Sequence, residues 1–183
     1  LYVERELHNF QERNARFKYL FARLRNTAYA VIDQVAEELR HSDFIPLEFE
    51  LSFGDNGTLP AEVVSEPDAE LRIGGKVDRV DGWVKDGKLY LRVVDYKSGK
   101  KAFDLSAVKM GLDIQMLLYL FTLQKEGKAH FGHEIEPAGV LYLPARDEIL
   151  SMERNIPVEK LESERQKQLR RSGLLLAEPE VLQ

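Results

Sequence analysis

Three residues near the middle of the chain, Asp78, Asp95 and Lys97, have the types and spacing of a site in which two carboxylates bind a divalent cation beside a lysine. Asp86-Gly87 separates two strand-like segments, a pattern typical of a two-residue β-hairpin turn. With that turn, counting outward along both strands places Asp78 opposite Asp95. Because side chains alternate along a strand, Lys97 shares the face of Asp95.

Two nearby pairs support this register. It places Val80 opposite Val93, an apolar pair, and Asp81 opposite Arg92, a pair of opposite charge. By alternation Asp81 points to the other face of the sheet, where Arg92 neutralises it. A one-residue bulge in either strand would break this register.

Facing carboxylates need compensation. With Cβ atoms about 5 Å apart and an effective dielectric of about 20, two such charges repel by roughly 3 kcal/mol. A shared proton, a cationic side chain or a metal ion can offset that cost. Hard oxygen ligands favour Mg²⁺ or Mn²⁺ over zinc. The alternative interpretation is a structural ion-pair network at a strand end.

Composition limits the other possibilities. The chain has 183 residues, 44% hydrophobic residues, no cysteine and a formal charge of −5. Bulk charge therefore does not explain nucleic-acid binding, and thiolate zinc sites, disulfides and cysteine-ligated clusters are excluded within the chain. No run of apolar residues predicts a membrane helix, and no phosphate-binding loop of the Gly-x-x-x-x-Gly-Lys-Ser/Thr type is present. Because the chain does not begin with Met, we expect a piece of a larger cytoplasmic protein.

The pattern of apolar residues, glycines and prolines predicts an α/β domain with a mixed central sheet flanked by helices. Predicted strands cover residues 46–53, 69–84, 88–97 and 138–143, with a loop over 54–67 that includes a short irregular strand. Predicted helices cover 1–41 (one helix, or two broken near Asn14), Asp104 or Ser106 to about Lys125 with Gly127 as the stop, and Pro157 to Gly173.

Three segments in order resemble the successive motifs of RecB-type nucleases of the PD-(D/E)XK superfamily. They are Gly75-Lys76-Val77-Asp78-Arg79-Val80-Asp81, Val93-Val94-Asp95-Tyr96-Lys97-Ser98-Gly99 and Gln115-Met116-Leu117-Leu118-Tyr119. The resemblance covers roughly residues 45–145. More loosely, residues 44–54 and 173–176 are similar to the nuclease domain of the family of helicase/deoxyribonuclease B subunits.

The resemblance implies a restriction-endonuclease-like core. It implies one RecB-type nuclease domain over residues 1–183, truncated at both ends. Within that domain, residues 1–44 would be a helical lead-in, 45–145 the nuclease core and 146–183 a C-terminal helix and tail.

The resemblance also implies roles for the central residues. Asp78 and Asp95 would bind Mg²⁺ or Mn²⁺, with the backbone carbonyl of Tyr96 as a further ligand. Lys97 would orient the attacking water or stabilise charge on the phosphate. Glu50 matches the acidic position of the first core strand, although an alternating edge strand also places Glu toward solvent.

Two further groups belong to the implied site. Gln115 and Tyr119 are four residues apart on a predicted helix and share a face, where they would contact DNA or support the site. The alternative is an ordinary buried Tyr with a polar neighbour. Lys100 and Lys101 would grip phosphates near the site, and the alternative is a solvated loop.

The implied activity is Mg²⁺-dependent, exonuclease-type hydrolysis of DNA within a helicase–nuclease complex for double-strand-break repair. The implied partners are single-stranded DNA and the A subunit of the helicase–nuclease, with no membrane. The chain departs from the pattern by lacking the metal-binding His before the first strand and every cysteine of the iron–sulfur cluster that the resemblance implies. The alternatives are a non-catalytic module with a nuclease fold that binds DNA or another subunit, and a stand-alone exonuclease of the superfamily.

Overall fold

The computed structural model describes residues 14–99, 103–146, 157–179 and 181–182. The helices are α1 (Ala15–Arg40), α2 (Leu105–Lys109), α3 (Gln115–Phe131) and α4 (Val158–Gln168). The strands are β1 (Ile45–Phe53), β2 (Glu62–Glu66), β3 (Ala69–Ile73), β4 (Gly75–Lys85), β5 (Lys88–Lys97), β6 (Glu134–Pro144) and β7 (Ser172–Leu175). Within these ranges no helix is long and apolar enough to cross a membrane.

Five strands form the central sheet in the order β1-β4-β5-β6-β7, and β2 pairs with β3 in a separate hairpin. The β5–β6 pair is parallel and the other pairs are antiparallel. The parallel pair requires a crossover, which α2 and α3 supply. The sheet is therefore mixed, as the sequence predicts.

The β4–β5 hairpin has the predicted turn and register. Asp86 and Gly87 both have positive φ, 51° and 79°, as a two-residue primed turn requires. The described pairs run from the turn to Arg79 opposite Val94, and they include the predicted Asp81–Arg92 pair. Because no bulge interrupts this ladder, the facing of Asp78 and Asp95 is one step beyond its last described pair.

A helix covers each face of the sheet. On one face, α3 packs apolar side chains against β4, β5 and β6, and the buried members include Leu91, Val93, Leu120 and Leu123. On the other face, Val35 of α1 packs near Val94, Leu141 and Leu143. Residues that alternate along β5 therefore face different helices.

The prediction of one helix from Asp104 to Lys125 is wrong. Asp104 does cap a helix, accepting a hydrogen bond from the Ser106 amide at 2.8 Å, but α2 is short and the chain turns at Gly111 with φ 78°. Gly127 lies inside α3, where an added Cβ would be 3.3 Å from Ile135. The stop is Gly132, with φ 76°.

Two other boundaries differ from the prediction. The strand expected over 69–84 is divided at Gly74 into β3 and β4, which belong to different sheets. The last helix ends at Gln168 rather than Gly173, which lies in β7. A Cβ on Gly173 would be 2.0 Å from the Val140 carbonyl oxygen, so this glycine allows close strand pairing instead of ending a helix.

The first predicted helix is confirmed from Ala15 to Arg40, and residues 1–13 lie outside the described residues. Its start is set by Asn14, whose side chain accepts a hydrogen bond from the Phe17 amide at 2.8 Å. The choice between one helix and two broken near Asn14 depends on residues 1–13 and stays a prediction.

Candidate active site

The structure brings Asp78 and Asp95 together where β4 begins and β5 ends. Asp78 Oδ2 accepts a hydrogen bond from the Tyr96 amide at 2.7 Å. The Asp78 carboxylate therefore binds the peptide group that joins Asp95 to Tyr96. The side chains of Asp78 and Asp95 are both partly exposed to solvent.

Lys97 joins the same face and supplies a cation. Its ammonium lies 2.6 Å from Asp95 Oδ2, with side-chain exposures of 30% for Lys97 and 19% for Asp95. That oxygen is buried and accepts no well-formed hydrogen bond from the described residues. The compensation predicted for the paired acids is therefore one ammonium group on Asp95 and one amide on Asp78.

Tyr142 forms the wall of this site beside Lys97. It is the neighbour of Asp95 in the parallel β5–β6 pair, and the Lys97 ammonium lies 5.3 Å from the centroid of its ring. Burial raises the pKa of the Tyr142 hydroxyl, and the charges of Asp95 and Asp113 raise it further. Sequence reasoning placed Tyr142 on a buried strand and gave it no role, because its position depends on which strand pairs with β5.

The donor set fits a divalent cation bound in part through its substrate. Among the described residues no three His, Asp or Glu side chains form a group that could hold a metal ion by themselves. Mg²⁺ usually keeps several waters and takes only one or two carboxylates, with substrate phosphates as further ligands. Asp78 and Asp95, which are partly exposed and close together, provide that pair.

Glu50 lies next to Asp78 in the sheet but forms an ion pair elsewhere. Its neighbours Phe49 and Leu51 pair with β4 on either side of Asp78. Glu50 itself has a positive φ of 57°, and its exposed carboxylate contacts the ammonium of Lys76. Its role as a metal ligand stays a prediction.

Gln115 and Tyr119 form a pair at the start of α3. The Gln115 side-chain amide donates to the Tyr119 hydroxyl at 2.5 Å, and the Tyr119 ring is buried and stacks on Phe53 with centroids 4.9 Å apart. An added Cβ on Gly75 would be 1.6 Å from that hydroxyl. The third sequence motif therefore packs directly on the glycine of the first.

The two lysines predicted to bind phosphates follow the end of β5. Lys100 and Lys101 lie outside the described residues, and Ser98 and Gly99 before them are exposed. Their predicted contact with phosphates stays a prediction.

The opposite face of the hairpin carries a buried ionic network. Asp81 contacts Arg79 Nε at 2.7 Å and Arg92 Nε at 3.0 Å, which confirms that Arg92 neutralises it. Glu38 of α1 also belongs to this network: its Oε1 lies 2.8 Å from Arg92 Nη2 and 2.7 Å from Arg171 Nη1. Strand alternation places Arg79 beside Asp81, but nothing in the sequence pairs Glu38 with this face.

The pKa values of two arginines in this network, Arg79 and Arg171, are shifted in opposite directions. Burial lowers the pKa of Arg79, but the charge and hydrogen bonding of Asp81, together with the charges of Tyr96 and Glu38, leave that pKa raised. Burial lowers the pKa of Arg171, and the positive charges of Arg92 and Arg79 lower it further against the opposing negative charge of Glu38. The network is thus centred on Asp81, and Arg171 lies at its cationic edge.

Comparison with known proteins finds relatives that are helicase/deoxyribonuclease B subunits. The chain is 36% identical over 168 residues to the B subunit of the ATP-dependent helicase/deoxyribonuclease of Clostridium acetobutylicum, and 38% identical over 168 residues to that of Acetivibrio thermocellus. Each match covers 91% of this chain and 15% of the relative. The corresponding protein of Caldanaerobacter subterraneus subsp. tengcongensis is 35% identical over 173 residues.

A family model described as the PD-(D/E)XK nuclease superfamily matches residues 2–179. The mixed five-stranded sheet flanked by helices agrees with the predicted restriction-endonuclease-like fold. On the match, the fold and the three motifs together, the chain belongs to the PD-(D/E)XK nuclease superfamily.

Proposed function

We propose that the chain hydrolyses DNA phosphodiester bonds with the help of a divalent cation, in an exonuclease-type reaction. The observation that supports it is the meeting of Asp78, Asp95 and Lys97 at one end of the β4–β5 hairpin. Two carboxylates beside one ammonium group leave a net negative charge that attracts a cation. The superfamily and the names of the relatives support a deoxyribonuclease.

The residues divide the work as follows. Asp78, Asp95 and the Tyr96 carbonyl would hold Mg²⁺ or Mn²⁺. When bound, the divalent ion supplies a Lewis acid for the phosphate and makes water more acidic near neutral pH. Lys97 stabilises negative charge that develops on the phosphate or orients the attacking water. Gln115 and Tyr119 support the site from α3, and Lys100 and Lys101 bind flanking phosphates.

The larger assembly is also part of the proposal. The chain spans about 15% of the length of the curated relatives that it matches. We infer that it acts in a cytoplasmic helicase–nuclease complex for double-strand-break repair. Its partner would be the A subunit of that complex, and its substrate would be single-stranded DNA. The iron–sulfur cluster that the resemblance implies would need cysteines from outside this chain, because this chain has none.

Calorimetric titration of the full-length protein with Mn²⁺ tests the cation site. The wild type should release or absorb heat with a saturable isotherm, and Asp95→Ala should lose it because one of two carboxylates is removed. Equal heats for both proteins would count against this site.

Cleavage of end-labelled single-stranded DNA by the same two proteins tests the reaction. We expect Mg²⁺-dependent shortening by the wild type and none by Asp95→Ala. A second candidate, a non-catalytic binding module, is favoured by the close Asp95–Lys97 ion pair, which already compensates one carboxylate. DNA binding that ignores Mg²⁺, with no cleavage, would support that module instead.

A further inference from the structure

The two strand segments that carry the candidate ligands are joined on the back of the sheet. Arg79 follows Asp78 in the chain, and Tyr96 follows Asp95. Arg79 Nη1 donates a hydrogen bond to the Tyr96 hydroxyl at 2.8 Å, and its guanidinium carbon lies 5.7 Å from the centroid of the Tyr96 ring. Because Arg79 and Tyr96 directly follow the two acids in the chain, the hydrogen bond between them constrains the distance between Asp78 and Asp95.

Arg79 is a rigid anchor for this bond. Its side chain has 0% exposure, as does that of Asp81, and Nη2 donates to Asp81 Oδ2 at 2.9 Å. Arg92 donates to the same Asp81 oxygen and also contacts Glu38 of α1. Because a buried charge cannot leave its partner without a large cost, the guanidinium of Arg79 stays in place and fixes the Tyr96 ring.

Tyr96 is also held from the front of the sheet. Its amide donates to Asp78 Oδ2 at 2.7 Å, while its hydroxyl accepts from Arg79 on the back. One residue therefore contacts the Asp78-Arg79 segment through both its main chain and its side chain. The Tyr96 carbonyl, the third candidate ligand, belongs to this same residue, so a change in the Tyr96 main-chain torsion angles would move it relative to the two carboxylates.

We propose that Arg79 and Tyr96 are positioning residues for the divalent cation. Their bond on the back of the sheet sets the separation of the Asp78 and Asp95 carboxylates and the orientation of the Tyr96 carbonyl on the front. This inference rests on the proposed function, because it assigns a ligand-orienting role to groups that do not touch the ion with their side chains. Such supporting contacts typically change metal affinity by about 10- to 100-fold.

The direct test is Tyr96→Phe in the full-length protein, which removes only the hydroxyl. Mn²⁺ titration should show about tenfold weaker binding, and DNA cleavage should need more metal while kcat at saturating metal stays near the wild-type value. Tyr90→Phe is the matched control, since Tyr90 lies on the same face of β5 and packs on Trp83 with centroids 5.5 Å apart. It should change neither quantity, and melting temperatures of both variants show that the fold is retained.

The outcomes separate this inference from the proposed function. If the wild type binds Mn²⁺, Asp95→Ala does not, and Tyr96→Phe binds as the wild type does, the positioning role is overturned and the cation site stands. If the wild type itself binds no Mn²⁺, the proposed function fails first, and the positioning role fails with it.

A second variant keeps the test decisive. Arg79→Lys retains the charge beside Asp81 but cannot reach Asp81 and Tyr96 together as the guanidinium fork does. If both substitutions break the same hydrogen bond, the second adds no further loss. The Mn²⁺ affinity of the double variant Arg79→Lys/Tyr96→Phe should then equal that of the single variant with the lower affinity. Losses that multiply would show independent effects and would contradict the proposed bond.

Discussion

The two faces of the β4–β5 hairpin use the same residue type for opposite purposes. Asp81 has 0% exposure and is neutralised by Arg79 and Arg92. Asp78, three residues earlier, is partly exposed and accepts one amide hydrogen bond beside Asp95. The difference lies in burial and charge balance: Asp81 is fully buried between two guanidinium groups, whereas Asp78 and Asp95 are partly exposed and have one ammonium group beside them.

The charge balance of the two faces is also opposite. The back combines two carboxylates with three guanidinium groups, those of Glu38 and Asp81 with Arg79, Arg92 and Arg171. The front combines two carboxylates with one ammonium group. The net negative charge of the front therefore attracts a cation, whereas the net positive charge of the back repels one.

The largest contrast should appear when each aspartate is removed. Asp81→Ala leaves buried arginines without their partner and should lower the free energy of unfolding by about 3–5 kcal/mol. Asp78→Ala should lower it by less than about 1 kcal/mol, because one exposed-side hydrogen bond is lost and carboxylate repulsion is relieved. Urea unfolding of both variants measures the difference, and equal losses would contradict the distinction between the two faces.

A second contrast compares the two ends of β5. Lys97→Ala should lower kcat for DNA cleavage by about 100-fold at saturating Mg²⁺, because a charge-stabilising donor is lost. Lys88→Ala is the matched control, since Lys88 pairs with Glu136 at the far end of the strand. Its kcat should stay at the wild-type value. Undiminished cutting by Lys97→Ala would remove Lys97 from the mechanism.

A third prediction concerns how α3 supports the front face. Gly75→Ala should destabilise the protein by about 1–3 kcal/mol, because the new Cβ overlaps the Tyr119 hydroxyl. In a Tyr119→Phe background the loss should be smaller, since the nearest atom is gone. Thermal unfolding of the two singles and the double tests this, and strictly additive losses would show that Gly75 and Tyr119 do not interact.

The smallest expected effect is on the free energy of unfolding at alkaline pH, and it involves Tyr142. Because burial raises the pKa of Tyr142 above its unfolded value of about 10, the folded state holds this proton more tightly. That stabilisation is fully present below about pH 10 and is lost as pH rises through the folded pKa. Tyr142→Phe should remove this part of the alkaline loss in unfolding free energy, and identical pH profiles would contradict it.

Local sequence signals were enough for the front of the site. Asp86-Gly87 fixes the turn, and alternation from it correctly separates Asp81 with Arg92 from Asp95 with Lys97. These features depend on neighbours that are close along the chain, where turn geometry sets the register.

Features that depend on distant neighbours were missed. Tyr142 reaches Lys97 only because β6 pairs with β5 in parallel, and Glu38 reaches Arg92 only because α1 crosses the back of the sheet. Glycine misled the helix boundaries for the same reason. Gly127 and Gly173 serve close packing against Ile135 and Val140, which a signal based on helix caps cannot distinguish from a stop.

The parallel pairing of β5 with β6 also bears on the order in which the chain folds. The β4–β5 hairpin closes a two-residue loop, so Asp78 and Asp95 can meet early. Asp95 meets Tyr142 only after the intervening crossover has folded, and such non-local pairings form slowly. We therefore expect the two acids to come together before Tyr142 packs beside Asp95.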